Sequence, residues 1–315
     1  MTPISLGSWP TPLERIPRAA ESLGLGPNDL WIKRDDVTGL GGGGNKIRKL
    51  QYSCAQALAS GTTTLITSGA PQSNHARLTA AAAARLGLKC ILVLGGARPE
   101  TTQGNLVLDE IAGAEIVWAG SESGSAVASI AEDVARSGGV PFVIPFGGTS
   151  AISAQGYVDC AREIEEQIEG FDRVVVAVGS GGTMAGLVAH LGPERVIGVD
   201  VGAVSDPGAV VAALLDEMPG PVVRAEELQI MRDHVGQGYS TLTDGSSNAI
   251  RRLARTEGIF LDPTYTGRAF AGLTTLVADN VISAGSRTVF LHTGGVPGLF
   301  GHPDLPTLLA GGTPE

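Results

Sequence analysis

"DRVVVAVGSGGTMAGLVAHLG", residues 172–192, is the passage whose reading decides the fold. Its β-branched run, Val174–Val178, reads as a buried strand. A glycine turn follows, and Thr183–Leu191 reads as a helix stopped at Gly192. A strand feeding a helix through a glycine turn is half of a parallel β-α-β unit. The same alternation runs outward in both directions. Upstream, strands are expected at 63–70, 89–96 and 114–120, with helices at 73–87, 105–112, 125–139 and 156–169. Downstream, a strand is expected at 195–201, a loop start at 202–211 and a helix at 247–258. A strand-to-loop passage at 260–267 and a last strand at 288–295 complete the series. A break near 145–156 divides the pattern into two α/β lobes, which places a cleft between them.

The bulk properties narrow the function classes. The 315 residues are 43% hydrophobic and 17% charged, a globular composition with enough chain for a substantial core. A formal net charge of −10 argues against nucleic acid as the main partner. Three cysteines, Cys54, Cys90 and Cys160, lie far apart in apolar segments with no C-x-x-C pairing, the pattern of buried reduced thiols. The N-terminus shows no basic segment leading an apolar one, and no apolar run is long enough to span a bilayer. The expectation is a cytoplasmic protein with no membrane partner and no metal.

Three glycine clusters are candidates to meet a phosphate: 39–45, 179–183 and 292–301. Only the second follows a strand and opens a helix without a proline between. A helix N-terminus offers unpaired N–H groups and positive dipole, and glycines let an anion approach the backbone. Ser180 and Thr183 add hydroxyls, which favours a phosphate monoester over a purely structural turn. No lysine follows as in a Walker loop, and Asp200 keeps a dinucleotide-binding alternative open.

"GLGGGGNKIRKL", residues 39–50, carries the lysines. Asn45 is a natural helix N-cap, which puts Lys46 at the first helical position. Lys46 and Lys49 share a helix face, with Arg34 and Arg48 near them in sequence. Crowded cations and burial both lower a lysine's pKa toward the nucleophilic range. An isolated Lys-x-x-Lys pair is otherwise a solvated helix face.

Taken together, "LWIKRDDVTGLGGGGNKIRKLQY" (30–52), "LITSGAPQSNHARLTAAAAARLGLKCILVL" (65–94), "GSGGTMAGL" (179–187), "GYS" (238–240), "EGIFLDPTYTGRAFAGL" (257–273) and "FLHTGGVPGLF" (290–300) resemble the D-cysteine desulfhydrase and 1-aminocyclopropane-1-carboxylate deaminase family. The resemblance covers almost the whole chain. It implies fold type II of the pyridoxal-phosphate enzymes, similar to tryptophan synthase β: two open twisted-sheet lobes with flanking helices. Residues 1–45 and 157–315 would form the large cofactor-binding domain and 46–156 the small one, the active site lying between them.

By that resemblance Lys46 forms the Schiff base with pyridoxal 5'-phosphate, and Gly179, Ser180, Gly181, Gly182 and Thr183 cradle its phosphate. Asn74 hydrogen-bonds its phenolic oxygen, and Thr266 and Thr293 face its pyridine nitrogen. Asn45, Ser73, Asn74, His75, Tyr239 and Tyr265 line the substrate side. Ser73, Tyr239 and Tyr265 join Lys46 as catalytic candidates, with Lys46 as base for the α-proton. Threonine at 266, where the cyclopropane deaminases carry glutamate, implies a weaker electron sink. That is enough for α,β-elimination from D-cysteine, yielding pyruvate, ammonia and hydrogen sulfide. The resemblance also implies a homodimer. Ser240, Arg268, the short stretch 94–110 and the run Gly41–Gly44 depart from the family pattern and leave other readings open. These are a cysteate-type sulfo-lyase or specialised-pathway enzyme, a cyclopropane deaminase, and a cofactor-binding homologue without catalysis. The glycine run is expected to form a loose, side-chain-free wall beside the cofactor.

Overall fold

Ten strands collect into two sheets in the computed structural model, which describes residues 2–220 and 222–310. The strands are β1 (Leu13–Arg15), β2 (Leu30–Arg34), β3 (Thr64–Gly69), β4 (Lys89–Leu94), β5 (Glu115–Trp118), β6 (Pro141–Val143), β7 (Arg173–Val178), β8 (Val196–Asp200), β9 (Gln229–Met231) and β10 (Thr288–His292). Six form one sheet in the order β1-β2-β10-β7-β8-β9, and four form the other in the order β5-β4-β3-β6. All pairings are parallel except β1 with β2. The larger sheet therefore draws on both ends of the chain, and the smaller on its first half.

Parallel strands covered on both faces read as unbroken apolar runs. Val174, Val175 and Val176 are all fully buried, and successive residues serve opposite faces. Val175 joins a core against α1 (Pro17–Ser22), α9 (Asp244–Glu257) and α10 (Thr266–Ala278). Val174 and Val176 join another against α6 (Ala151–Gln167), α7 (Gly182–Leu191) and α8 (Pro207–Asp216). On the smaller sheet α2 (Lys46–Ala59), α3 (Asn74–Leu86) and α4 (Asn105–Ile111) share one core, and α5 (Ser123–Arg136) covers the opposite face. The three cysteines are buried and unpaired.

Three elements differ from the sequence reading, and one is α8, which opens at Pro207 inside the expected loop start 202–211 because the Asp206 side chain accepts from the Gly208 and Ala209 N–H groups. Residues 260–267 form no strand. The Asp262 carboxylate accepts from the N–H groups of Thr264, Tyr265 and Thr266 instead, at 2.8–2.9 Å, which turns the chain into α10. Helix α6 starts at Ala151, five residues before 156, because Ser150 and Ser153 close a reciprocal capping box.

A buried ion network fixes α2 to the larger sheet. Arg48 reaches Asp35, just after β2, at 2.8 and 2.9 Å and Glu163 on α6 at 2.7 and 2.9 Å. Lys33 on β2 also binds Glu163 at 2.8 Å, and the Tyr157 hydroxyl donates to Asp35 at 2.7 Å. Stripping one partner from such a buried network costs about 3–5 kcal/mol, since it strands a charge.

The run Gly41–Gly44 is not loose, and none of it lines the cleft. Its φ angles are +58°, +82°, +74° and +131°, all in the half of conformational space that L side chains avoid. A Cβ on Gly43 would lie 1.9 Å from the Asp36 carbonyl oxygen, and one on Gly41 2.6 Å from the Ala81 Cβ. Arg77 of α3 donates to the carbonyls of both Gly41 and Gly43. The run is a packed turn gripped by a guanidinium. Gly43→Ala should therefore destabilise the fold by about 3 kcal/mol, from backbone strain plus overpacking. Gly24→Ala, at φ +80° but with nothing near its Cβ, should cost about 1 kcal/mol. Denaturant titration of the two variants checks the contrast.

Candidate active site

The cleft lies where both sheets end. Its walls come from segments that follow β3 (Ala70, Ser73), β7 (Gly179, Ser180), β8 (Gly202, Ala203) and β10 (Thr293). Carboxyl ends of parallel strands are where α/β folds hold ligands, because helix N-termini converge there.

Helix α2 delivers Lys46 as its first residue. Asn45 stands at the N-cap with helical dihedrals (φ −56°, ψ −23°) but does not cap with its side chain. Its amide instead donates to the Thr183 hydroxyl at 3.2 Å, tying the start of α2 to the start of α7. Lys46 donates to the Gly147 carbonyl at 3.1 Å. Desolvation lowers its pKa to about 8, against an opposing hydrogen bond from Lys49. The sequence reading assigned part of this effect to Arg34 and Arg48. Both guanidiniums are spent in ion pairs, and burial is the dominant cause. Lys49, one turn on, is held well below the usual lysine range by burial and by Lys46.

Two amines crowded into a buried site make a place for an anion. Gly181, at φ +81°, opens α7, whose first residue Gly182 packs so closely that an added Cβ would lie 2.9 Å from the Lys49 amine. The Lys49 amine contacts the Thr149 hydroxyl at 3.0 Å, which contacts the Ser180 hydroxyl at 2.7 Å. Free helix N–H groups, three hydroxyls (Thr149, Ser180, Thr183) and the Lys49 amine, which a bound anion would favour in its charged form, thus converge, which fits a phosphate ester. On Gly179 a side chain would press on the Tyr265 ring at 3.2 Å. Lys49 and Thr149 have no place in the phosphate cradle as read from sequence. The Lys-x-x-Lys face and the glycine pair at 147–148 are the signals that point to them.

Beside the cradle, Lys46, Ser73, His75, Phe146, Tyr239 and Tyr265 border a cavity of about 290 Å3. Ser73 caps α3, accepting from the Ala76 N–H at 3.1 Å. The preceding N–H groups, of Asn74 and His75, belong to the unsatisfied first turn and suit a carboxylate. The His75 side chain does not suit one. Thr67 donates to the Ile144 carbonyl at 2.9 Å, so at 2.9 Å from it His75 Nε2 must carry the proton, leaving Nδ1 bare. Burial and the two lysines hold His75 neutral, well below the ordinary imidazole value.

The Tyr239 and Tyr265 hydroxyls are hydrogen-bonded to each other, with ring centroids 5.8 Å apart and edge-on. Burial raises both phenols, so at neutral pH they hold their protons. Arg268 anchors the Tyr239 loop from below, donating to Val201, Gly238 and Thr241 carbonyls at 2.6–2.7 Å.

The structure does not bring Thr266 into the cleft in the expected way. Its hydroxyl donates to Asp262 at 2.7 Å and accepts from the Asp262 N–H at 2.9 Å, so its proton is taken. Thr293 does line the cleft.

The match to known proteins agrees with this geometry. Residues 4–294 match the family model described as pyridoxal-phosphate dependent enzyme. The chain belongs to that family. Two curated relatives, the D-cysteine desulfhydrases of Salmonella schwarzengrund and Salmonella paratyphi B, are each 41% identical over 314 residues, covering 94% of this chain and 95% of theirs. A solved structure described as an ACC deaminase homologue superposes with a TM-score of 0.87 at 39% identity, over 98% of this chain and 95% of that one. Threonine deaminase isoform 2 of Solanum lycopersicum shares the fold, with a TM-score of 0.66 at 19% identity over 95% and 82% of the two chains. The fold is type II of the pyridoxal-phosphate dependent enzymes, and pyridoxal 5'-phosphate is the cofactor. Among the described residues no acidic, histidine or cysteine group could hold a metal ion, and no helix is long and apolar enough to cross a membrane.

The depressed Lys46 pKa has a measurable consequence in the apoprotein. Between about pH 8 and pH 10.5 the unfolded chain binds the proton that the folded site rejects. The penalty for burying this lysine is full below that window and vanishes as pH rises through it, so its titration adds stability with increasing pH. The stability advantage of Lys46→Met apoprotein over wild type should therefore shrink by about 3 kcal/mol across the window. Urea unfolding at a series of pH values reads it.

Proposed function

We propose that the chain is a lyase that performs α,β-elimination on a β-substituted amino acid, D-cysteine foremost, releasing pyruvate, ammonia and hydrogen sulfide. One observation carries the reading: a lysine amine whose pKa is lowered to about 8 opens into the same cavity as a helix N-terminus suited to a carboxylate and a protonated tyrosine pair. The D-cysteine desulfhydrase relatives support the substrate.

When bound, pyridoxal phosphate supplies a carbonyl that takes up amines and a ring that accepts an electron pair from the substrate's Cα. The chain's own residues do the rest. Lys46 and the Asn74 amide would hold the cofactor at its aldehyde end, and Ser180, Thr183, Thr149 and Lys49 at its phosphate. The N–H groups of Asn74 and His75, with the Ser73 hydroxyl, orient the substrate carboxylate. Lys46, readily neutral, takes the α-proton. The tyrosine pair, with raised pKa values, donates rather than accepts, and is placed to protonate a departing sulfur. Thr293, a neutral hydroxyl lining the same cleft, would be the group offered to the pyridine nitrogen.

Two alternatives fare worse on specific observations. A sulfonate substituent needs a cation, and Lys46 is the one cationic side chain that borders the substrate cavity among its described residues. Cyclopropane opening calls for an acid at position 266, which is a threonine engaged elsewhere. Sheet membership supports a small unit spanning 46–156 and a large unit of 1–45 with 157–315. A cytoplasmic homodimer is part of the same proposal.

Purified protein should show a visible cofactor band that Lys46→Ala abolishes, and should release pyruvate from D-cysteine faster than from L-cysteine or L-cysteate. Lack of both band and pyruvate would defeat the proposal, and 2-oxobutyrate from 1-aminocyclopropane-1-carboxylate would replace it with a deaminase. Lys46→Ala should lower kcat by at least about 10^3-fold.

A further inference from the structure

The Asn74 amide has two ends, and its function as a donor toward the cofactor depends on which one faces the cleft. We infer that Asn105, itself oriented by Arg77, is a positioning residue that fixes the Asn74 amide with its nitrogen toward the cofactor's phenolic oxygen. The inference rests on the cofactor placement proposed above.

The orientation follows from hydrogen-bond bookkeeping. Arg77 has donors and no acceptor. Its Nε donates to Asn105 Oδ1 at 2.7 Å, so that atom is the oxygen. At its other end the Asn105 amide meets the Gln72 backbone carbonyl at 2.9 Å, a group that accepts and never donates, so Nδ2 is there. Both ends of Asn105 are thereby assigned by groups with no alternative role. The second Nδ2 proton goes to Asn74 Oδ1 at 3.0 Å. Asn74 must then turn its own Nδ2 away from Asn105, and Asn74 borders the cleft that also holds Lys46 and the phosphate cradle.

Asn105 is suited to this task by rigidity. It is fully buried, and its backbone N–H is held by Gln72 Oε1 at 2.9 Å. Arg77 is fixed in turn by the carbonyls of Gly41 and Gly43. The packed glycine turn, Arg77, Asn105 and Asn74 thus form one continuous chain of donors and acceptors, ending at the cleft. Arg77 and Asn74 lie three residues apart on one face of α3, and Asn105 opens α4 against it.

Asn105→Asp removes the donor and keeps the size. The new carboxylate would attract the Asn74 nitrogen and turn the amide round, presenting oxygen to an oxygen of the cofactor. In the loaded protein the pH midpoint of the visible band should rise by about one pH unit, and the pyridoxal phosphate dissociation constant should rise about tenfold. Asn74→Asp should give a similar spectrum, since it also presents oxygen. Both effects of Asn105→Asp should vanish in an Asn74→Ala background, as expected for a residue that acts through Asn74. Asn105→Ala carries the same test, with the same direction and a smaller shift, if the aspartate variant does not fold. Thermal unfolding of each loaded variant monitors the fold. Unchanged midpoint and affinity in Asn105→Asp and Asn105→Ala would overturn the inference, as would shifts of equal size with and without Asn74. A protein that takes up no cofactor at all defeats the cofactor placement instead, so the two failures are distinguishable.

Discussion

The buried ion network around Arg48 is the constraint on which the site depends. A lysine at the start of a helix is useful only if the helix cannot turn or slide. Two residues beyond Lys46, Arg48 grips Asp35 and Glu163, and Glu163 grips Lys33 in the larger sheet. Helix α2 packs its apolar face into the smaller sheet's core while its charged face is bonded to the larger sheet. The amine of Lys46 is therefore placed by both lobes together. Hydrophobic contact alone would fix the depth of α2; the directional bonds at Arg48 fix its rotation.

Much of this was legible in the sequence because parallel sheets write themselves as apolar runs broken by glycine. Strands β3, β4, β7, β8 and β10 and helices α3 and α9 fall where their periodicity put them, with Gly87 and Gly258 ending the helices in left-handed conformation. Strands β1, β6 and β9 have three residues each, too few for a period to register. The 260–267 passage reads as a strand leading into a loop, and it opens on the apolar pair Phe260–Leu261. One carboxylate, Asp262, supplied the acceptors that a neighbouring strand would have supplied.

The site was legible as a set of residues and less so as a set of roles. Lys46, Asn74 and the 179–183 turn border one cleft, as their motifs imply. What spacing does not carry is the state of each donor. The protonated nitrogen of His75 is set by Thr67, whose own proton goes to Ile144, 77 residues further along the chain, and the Thr266 proton is taken by a carboxylate four residues back. Lys49 and Thr149 meet across 100 residues, so the local signals at Lys-x-x-Lys and Gly147–Gly148 mark each of them without reporting the contact that joins them to the phosphate cradle.

The glycine turn at 41–44 has a consequence for how this enzyme can change over evolutionary time. A run of four residues without side chains looks like the most permissive part of the chain. With left-handed backbone at every position, no room beside Asp36 and Ala81, and two carbonyls held by Arg77, it is among the least able to drift. New substrate range would have to enter elsewhere, through the rim of the cavity at Phe146 and Ala203, where the first is more than half exposed and the second is a small side chain. The chemistry of the site is thus sheltered from variation, while its mouth remains open to it.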